Sequence, residues 1–318
     1  MRARGLSDAR TEALAAAEAR PLSEHLADFI SYLESKGTGP TTIDAAENRI
    51  NRILTAGKIT VIADLSPAAV LAAVNTIKTG DGLSLKTCNH IITAIKGFSR
   101  WLHREKRARV DELAGLRGFN AETDKRRVRR DLSPDETARV FAAAERCPYV
   151  IVPRPERDKT TNALRIARVR MHYPARVWAY RVAAETGLRA SEVASLTRES
   201  FDLTADTPSV TVEAAYSKHR RRDVLPLRRE FAAALAGWLK SCPAGEPVCP
   251  LPEKKAALLL RADLRVARAR WIREARTRAE RRARRDDPNF LRDVDASGRV
   301  VDFHGLRVTF ISRVVDAG

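Results

Sequence analysis

The sequence predicts a mainly α-helical protein of two domains, a small all-helical N-terminal domain and a larger helical domain that contains a small β-hairpin. Its 318 residues exceed the length at which one hydrophobic core usually stops growing. Apolar residues recur at helical spacing from Pro21 to about Lys106. This periodicity is lost over residues 107–131 and resumes after a helix-capping signature at Ser133, which indicates a boundary between two domains.

The N-terminal domain, residues 1–110, is predicted to be a four-helix unit, with a further helix possible over residues 8–20. Ser66 and Ser84 are each predicted to be the N-cap of a helix. The predicted core positions of the first two helices share one face of each helix: Leu26, Phe29, Ile30 and Leu33, then Ile43, Ile50, Ile53 and Leu54.

Residues 111–131 are interpreted as an interdomain linker, because they lack periodicity and end in a run of basic residues. A basic connector that crosses a DNA backbone would neutralise phosphates, although a solvated connector has the same composition. The candidate DNA-binding residues of this run are Lys125, Arg126, Arg127, Arg129 and Arg130.

The second domain, residues 132–318, is predicted to be mainly helical. One β-hairpin is predicted from a strand at 209–216, a basic turn and a returning strand at 223–227, with Tyr216 packed in it. Helices are predicted over 228–240 and 254–285. The second of these is densely basic and would contact DNA phosphates, contact a neighbouring protomer or present a solvated face.

The composition favours a polyanionic partner. Lys and Arg number 58 against 40 Asp and Glu, a formal net charge of +18. Nucleic acid is the first choice for that partner, ahead of an anionic membrane or a role in solubility. The four cysteines have no C-x-x-C spacing, so free thiols are expected, with no metal site and no cofactor. A charged N-terminus and no long apolar run predict a cytoplasmic protein without a membrane span.

Three short segments of the second domain carry residues suited to phosphate chemistry. Arg189 follows Gly187 at a predicted helix start, where backbone N–H groups and a guanidinium can hold an anion. Lys218 lies in the hairpin turn, from which a lysine can reach a leaving oxygen as a general acid. His304 and Arg307 are three residues apart at another predicted helix start and therefore share one face. Taken singly, each fits an ordinary surface residue or helix cap.

In this order, these segments resemble the tyrosine recombinase, or phage integrase, family of site-specific DNA recombinases. The resemblance rests on T-G-L-R-x-S-E at residues 186–192, the hairpin lysine eight residues before Pro226, and H-x-L-R at residues 304–307. It implies that residues 1–110 are a SAM-like helical core-binding domain and that residues 132–318 have the tyrosine recombinase catalytic fold. It also implies that double-stranded DNA is the partner and that four copies act together on DNA.

The resemblance implies a transesterification without metal or ATP, in which a tyrosine forms a 3′-phosphotyrosyl intermediate. Arg189 and Arg307 would hold the scissile phosphate, with Glu192 supporting Arg189. Lys218 would protonate the leaving 5′ oxygen, and His304 would assist proton transfer. Finally, His219 and Arg220, which follow the lysine, are expected to contact DNA.

The sequence departs from the family pattern beyond Arg307. The family places its tyrosine on a later helix, whereas this sequence has no tyrosine after the H-x-L-R segment and ends eleven residues after Arg307. We therefore expect the chain to be truncated before the nucleophile, unable to cleave DNA and monomeric in solution. The parent protein would be a bacterial or phage-encoded, nucleoid-associated recombinase of a mobile element. A DNA-binding relative without catalysis and a type IB topoisomerase are the alternatives.

Overall fold

The computed structural model describes residues 2–157, 164–217, 220–252 and 255–316, except for the side chains of residues 2–8, 10 and 152–168. The chain divides into two compact units, residues 1–126 and 127–318. Both units are built mainly from helices, and the β-structure consists of small antiparallel sheets. The predicted fold class is thereby confirmed. Within the described ranges, no helix combines the length and apolar character that a membrane span requires.

Within its described residues, the first unit contains five α-helices, and the four that follow residue 20 surround one hydrophobic core. Ile50, Ile53 and Phe98 at its centre are completely buried. Ser66 and Ser84 accept hydrogen bonds from the backbone N–H groups of Ala69 and Thr87, so both predicted N-caps are confirmed. The helices are α1 (Arg2–Ala19), α2 (Leu22–Ser35), α3 (Pro40–Gly57), α4 (Pro67–Asp81) and α5 (Leu85–Arg104).

The segment interpreted as a linker divides between the two units. Residues 111–126 pack on the first unit, where Leu113 is fully buried and the Asn89 side chain forms two hydrogen bonds with the backbone of Phe119. Residues 127–131 belong to the second unit, where Arg129 forms a parallel β-bridge with Val300. The basic run is therefore attached to folded structure at both of its ends.

The second unit packs α6, α7, α10 and α12 around a second core. Ser133 and Glu136 form the predicted capping box at the start of α6, with hydrogen bonds of 3.2 and 3.0 Å. The helices of this unit are α6 (Pro134–Arg146), α7 (Arg176–Thr186), α8 (Ala190–Ala194), α9 (Arg229–Lys240), α10 (Ala256–Arg273), α11 (Arg278–Asp286) and α12 (Phe303–Asp316).

In the described part of this unit, two small antiparallel sheets accompany these helices. The strands are β1 (Tyr149–Arg157), β2 (Leu164–His172), β3 (Phe201–Asp202), β4 (Ser209–Val212) and β5 (Asp223–Pro226). Strands β4 and β5 form the predicted hairpin inside a β3–β4–β5 sheet. Strand β4 ends at Val212, and the residues after it form turns in which the Tyr216 N–H donates to the Glu213 carbonyl. The Tyr216 side chain is 57% exposed, so the prediction that Tyr216 packs in the hairpin is wrong. The two-stranded β1–β2 ribbon was not predicted.

The long basic helix predicted over 254–285 is two helices, α10 and α11. Thr277 starts α11, because its hydroxyl accepts a hydrogen bond from the Glu280 N–H. The Arg268 side chain of α10 is turned inward, where its guanidinium donates to backbone carbonyls at the end of α11, including that of Arg285. Part of the basic surface that the sequence suggested is thus used to hold two helices together.

Candidate active site

Arg189 is positioned by a sharp turn between α7 and α8. Gly187 ends α7 in the left-handed conformation, with φ +68°, and its N–H donates to the Ala183 carbonyl. Glu192, which is buried, accepts one hydrogen bond from the Arg189 backbone N–H (2.7 Å) and one from its guanidinium (2.8 Å). Glu192 thus lies beside Arg189, and its supporting role in catalysis stays a prediction. About a quarter of the Arg189 side chain remains exposed, at 26%.

Helix α12 brings His304 and Arg307 to the same place. Asp302 caps the start of α12, because its carboxylate accepts a hydrogen bond from the Gly305 N–H at 3.2 Å. One turn later, the Arg307 guanidinium donates a 2.6 Å hydrogen bond to the carbonyl oxygen of Gly187. This bond joins Arg307 directly to the turn that carries Arg189, although Arg307 and Gly187 lie 120 positions apart in the sequence.

A cleft of about 410 Å³ opens where these elements meet. Its lining includes Arg189, Ser191, Asp302 and His304, with apolar residues from α10 and the segment before it. The Arg189 guanidinium brings positive charge to the cleft, and the His304 imidazole supplies a group that can exchange a proton. Such a concave site with convergent basic groups is suited to a phosphate diester in its charged form.

The environment of His304 disfavours its protonated form. Partial desolvation is the largest cause that lowers the pKa of His304, and the charge of Arg129 adds to it, as do those of Arg189 and Arg307. Asp302 acts in the opposite direction. The imidazole is therefore neutral near pH 7 in the free protein, in the form that can accept a proton.

We expect an NMR titration of the His304 ring, assigned with the His304→Gln variant, to give a pKa below the ordinary 6.5. The pKa of His304 is lower in the folded protein than in the unfolded chain. The free energy of unfolding is therefore highest above pH 6.5, where His304 is neutral in both states, and it decreases as the pH falls from 6.5 through the pKa of the folded protein. Raising the salt concentration should move the pKa upwards, since salt screens the arginine charges. A pKa above 6.5 at low salt would contradict this description of the cleft.

Comparison with known proteins identifies the family. The sequence profile described as the phage integrase family matches residues 156–318, more than half of the chain. This chain belongs to the phage integrase family. Its sequence is 26% identical to that of tyrosine recombinase XerC from Xylella fastidiosa strain M23 over 234 residues, which cover 72% of this chain and 69% of XerC.

Solved structures of integrases share the fold of this family member. A lambda integrase dimer bound to a COC′ core site superposes with a TM-score of 0.60 at 16% identity, over 94% of this chain and 71% of that one. A lambda integrase tetramer bound to a Holliday junction gives a TM-score of 0.59 at 18% identity, over 94% and 74%. The Tn1549 transposon integrase in complex with transposon right end DNA gives 0.57 at 14%, over 94% and 87%.

The hairpin of this phage integrase family member is described only in part. Lys218 and His219 lie outside the described residues, so their predicted roles stay predictions. Arg220 is exposed beside them and has a positive φ of 52°. The Ser217 hydroxyl, before the turn, donates to the Asp223 carboxylate at the start of β5. This bond closes the base of the turn that carries the predicted lysine.

The basic run of the integrase is paired with acidic groups rather than free. Lys125 and Arg126 pair with Glu122 and Asp124 in the first unit, and both basic side chains are more than half exposed. In the second unit Arg130 is only 8% exposed, and its guanidinium makes two 2.8 Å bonds to the Glu136 carboxylate. The prediction that Arg130 binds DNA is therefore corrected, since a buried, paired guanidinium cannot reach a phosphate.

Two residues of the run lie beside the cleft. Arg127 and Arg129 both form ion pairs with Asp302, the residue that caps α12 and lines the cleft. These charges help to hold the pKa of the Asp302 carboxyl below its ordinary value despite its burial. Sequence reasoning assigned no role to Asp302. The signal was present, because an acidic residue three positions before Gly305 has the spacing of an N-cap.

Replacing Gly187 by alanine is expected to destabilise the second unit by about 1–2 kcal/mol, because a side chain strains the left-handed conformation. The new Cβ would also lie 2.6 Å from a ring carbon of Phe310 on α12, which must then shift. Urea unfolding would measure the change. The control is Gly237→Ala in α9, where nothing lies within 4 Å and a gain of about 0.5–1 kcal/mol is expected. Equal effects at both positions would contradict the argument.

Proposed function

We propose that this protein is a site-specific DNA recombinase that breaks and rejoins strands through a 3′-phosphotyrosyl intermediate. The observation that carries the proposal is that Arg189 and His304, from two helix starts far apart in the sequence, line one cleft, and that Arg307 is bonded to the turn that carries Arg189. Membership of the phage integrase family supports it independently. The DNA-bound integrases that share the fold support double-stranded DNA as the partner.

In the proposed reaction, a tyrosyl oxygen attacks the scissile phosphorus and the bond from phosphorus to the 5′ oxygen breaks. The total number of phosphate ester bonds is unchanged, so the exchange needs no external energy source. Arg189 and Arg307 offset the charge that builds up on the non-bridging oxygens in the transition state. Neutral His304 accepts or returns the tyrosyl proton, and Lys218 supplies a proton to the departing 5′ oxygen.

The source of the tyrosine is a separate part of the proposal. All five tyrosines of the sequence are among the described residues, and none of them lines the cleft. Tyr180, for example, is completely buried, and burial together with the neighbouring Asp263 raises its pKa well above the ordinary range. We propose that residues 1–318 supply the groups that activate the phosphate and do not supply the nucleophile.

A DNA-binding relative without catalysis is the second candidate, and the same distribution of tyrosines favours it. The two candidates differ in one respect. A working phosphate site should accelerate attack by any correctly placed oxygen nucleophile, whereas a binding protein should not. We further propose that recombination involves four copies on two duplexes, as the lambda integrase tetramer on a Holliday junction suggests, and that the chain alone is a monomer.

The first experiment measures strand rejoining, because this half of the reaction needs no tyrosine. Residues 1–318 would first select a binding site from random DNA duplexes. A nick is then placed in that site, with a p-nitrophenyl ester on the 3′-phosphate facing a free 5′-hydroxyl. Attack of the 5′ oxygen on phosphorus expels p-nitrophenolate, which is measured by its absorbance.

Release of p-nitrophenolate well above the rate without protein is the expected result. Tight, site-selective binding with no release would instead establish the non-catalytic candidate. A second substrate tests the nucleophile: its scissile phosphodiester is intact and the nick lies a few nucleotides to the 3′ side, so that the short strand with the free 5′-hydroxyl can diffuse away after cleavage. We expect no covalent protein–DNA product from residues 1–318, and a covalent product mapped to one of the five tyrosines would show that the chain is not inactive.

A further inference from the structure

The β1–β2 ribbon is a long feature that neither the active site nor the predicted hairpin uses. Its strands pair antiparallel over nine residue pairs, from Tyr149↔His172 to Arg157↔Leu164. At about 3.4 Å per residue, this corresponds to a ribbon of roughly 30 Å. A two-stranded ribbon of this kind has the width that the major groove of B-DNA admits.

A fully buried arginine clamps the base of the ribbon. The Arg176 guanidinium donates to the carbonyl of Cys147, before β1, at 2.5 Å and to that of Tyr173, after β2, at 2.8 Å. Asp263 of α10 holds the same guanidinium with two further bonds of 2.8 and 2.9 Å. Both strands of the ribbon therefore start from a fixed point in the core, which gives the ribbon a defined direction.

The composition of the ribbon is strongly basic. The described strands, residues 149–157 and 164–172, contain five Arg and one Glu, a formal net charge of +4. The basic positions occur on both strands, and four of them lie in the paired part between Arg154 and Arg168. A ribbon with this balance is attracted to a polyanion along its whole length.

The prolines of β1 argue against strand pairing with another protein along that edge. Pro153 and Pro155 have no N–H and cannot donate a hydrogen bond to β2. Because both are nevertheless paired with β2 residues, we infer that their nitrogens lie on the side of β1 that faces away from β2. The outer edge of β1 therefore lacks a donor at two successive outward positions. Prolines at an edge are a common protection against the addition of another strand.

At the base of the ribbon the exposed face is aromatic and cationic. The Arg170 guanidinium lies over the Tyr149 ring, 3.8 Å from its centroid, and His172 packs on the same ring at 4.9 Å between centroids. Tyr149 and Ile151 are 41% and 59% exposed. A guanidinium that is stacked on an aromatic ring is well placed to contact the phosphate and sugar of DNA. Arg170 therefore extends the basic surface of the strands to the base of the ribbon.

From these observations we propose that the β1–β2 ribbon is a DNA-binding arm of the second unit, which contacts duplex DNA outside the part held at the active-site cleft. The contacts are mainly with phosphates, so they extend the bound length of DNA and add affinity without adding base specificity. The inference rests on the proposed function, because it requires a protein that binds duplex DNA.

The test uses a trimmed variant in which residues 153–168 are replaced by Asn-Gly. Val152 and Val169 then flank a two-residue turn. Hydrogen-bonded and non-hydrogen-bonded pairs alternate along an antiparallel ladder, and Pro153 must occupy a non-hydrogen-bonded pair. Val152 and Val169 are therefore a hydrogen-bonded pair. The variant keeps Val150 in the core and keeps the Arg176 clamp. An unchanged midpoint of thermal unfolding would show that the second unit still folds.

We expect the trimmed variant to bind a long duplex about tenfold more weakly than the intact chain. The slope of log K against log salt concentration should fall by about 2, because each lost phosphate contact removes about 0.9. Hydroxyl-radical footprinting should show a shorter protected region, while affinity for a duplex cut down to the remaining footprint stays the same.

A charge variant separates the basic groups from the shape of the ribbon. Replacing Arg154, Arg157, Arg165 and Arg168 by glutamine should reproduce the weaker binding and the lower salt slope, whereas the control Glu156→Gln should bind equally or more tightly. If the trimmed and charge variants keep the affinity, slope and footprint of the intact chain, the inference is overturned. Failure of the intact chain to bind any duplex would instead reject the proposed function. Loss of self-association with unchanged DNA binding would assign the ribbon to a second copy of the chain.

Discussion

Arg189→Ala is expected to slow p-nitrophenolate release by about two to three orders of magnitude, the usual effect of removing one preorganised donor from a charged transition state. Arg189 is held for this task by the buried Glu192, which bonds both its backbone and its guanidinium. The affinity for the intact duplex should change only a few-fold, because one phosphate contact among many is lost. Rates at saturating protein, set beside binding constants from the same preparation, provide the measurement.

The matched control is Arg228→Ala. Arg228 is also paired with a glutamate, Glu185, but its side chain is 72% exposed and it does not line the cleft. Its removal should leave the rate within about a factor of two of the parent chain, because the Arg228 side chain does not line the cleft. Glu192→Gln provides a graded test, because it keeps the shape and weakens the hold on Arg189. If Arg189→Ala and Arg228→Ala have equal rates, Arg189 does not act on the phosphate.

Local signals in the sequence were sufficient for most helices. The N-caps at Ser66, Ser84 and Ser133 depend on hydrogen bonds that span three residues, so residue type and spacing alone determine them. The end of α7 at Gly187 is similar, because only glycine adopts that conformation at low cost. The break between α10 and α11 has the same kind of signal at Thr277, but a continuous basic and apolar pattern obscured it.

Contacts between distant segments could not be predicted in this way. Only the resemblance to the family predicts that Arg189 and Arg307 hold one phosphate. The bond from Arg307 to the Gly187 carbonyl depends on how α12 packs on α7. Arg130 is buried because it pairs with Glu136. The sequence predicts the capping box of Glu136 with Ser133, but it does not show that Arg130 is a second partner of the same carboxylate. The ribbon was missed because Pro153 weakens a strand pattern unless its edge position is known.

The same buried cluster that fixes the ribbon should dominate the stability of the second unit. Arg176 is completely buried and Asp263 nearly so, and Tyr180 donates a 2.9 Å hydrogen bond to the Asp263 carboxylate. Arg176→Met would leave that carboxylate buried without its counter-charge. It would also remove the side-chain donor of the Cys147 carbonyl and leave the Tyr173 carbonyl only the 3.3 Å bond from the backbone N–H of residue 176. We expect a loss of about 3–5 kcal/mol in the free energy of unfolding, measured by urea denaturation.

Two further variants show whether the loss comes from the unpaired charge. Arg181→Met removes the next arginine along α7, which pairs with the exposed Glu145, and should cost less than about 1 kcal/mol. Combining Arg176→Met with Asp263→Leu removes both charges, so part of the stability should return, because two apolar residues avoid the penalty of an isolated buried ion. The Cys147 carbonyl still lacks the donor that the Arg176 side chain provides, so the recovery in the double variant should be incomplete. If the double variant were less stable than Arg176→Met alone, contacts of Asp263 other than its pairing with Arg176 would stabilise the fold by more than the unpaired charge destabilises it. The base of the ribbon would then be anchored by contacts other than the Arg176–Asp263 pair.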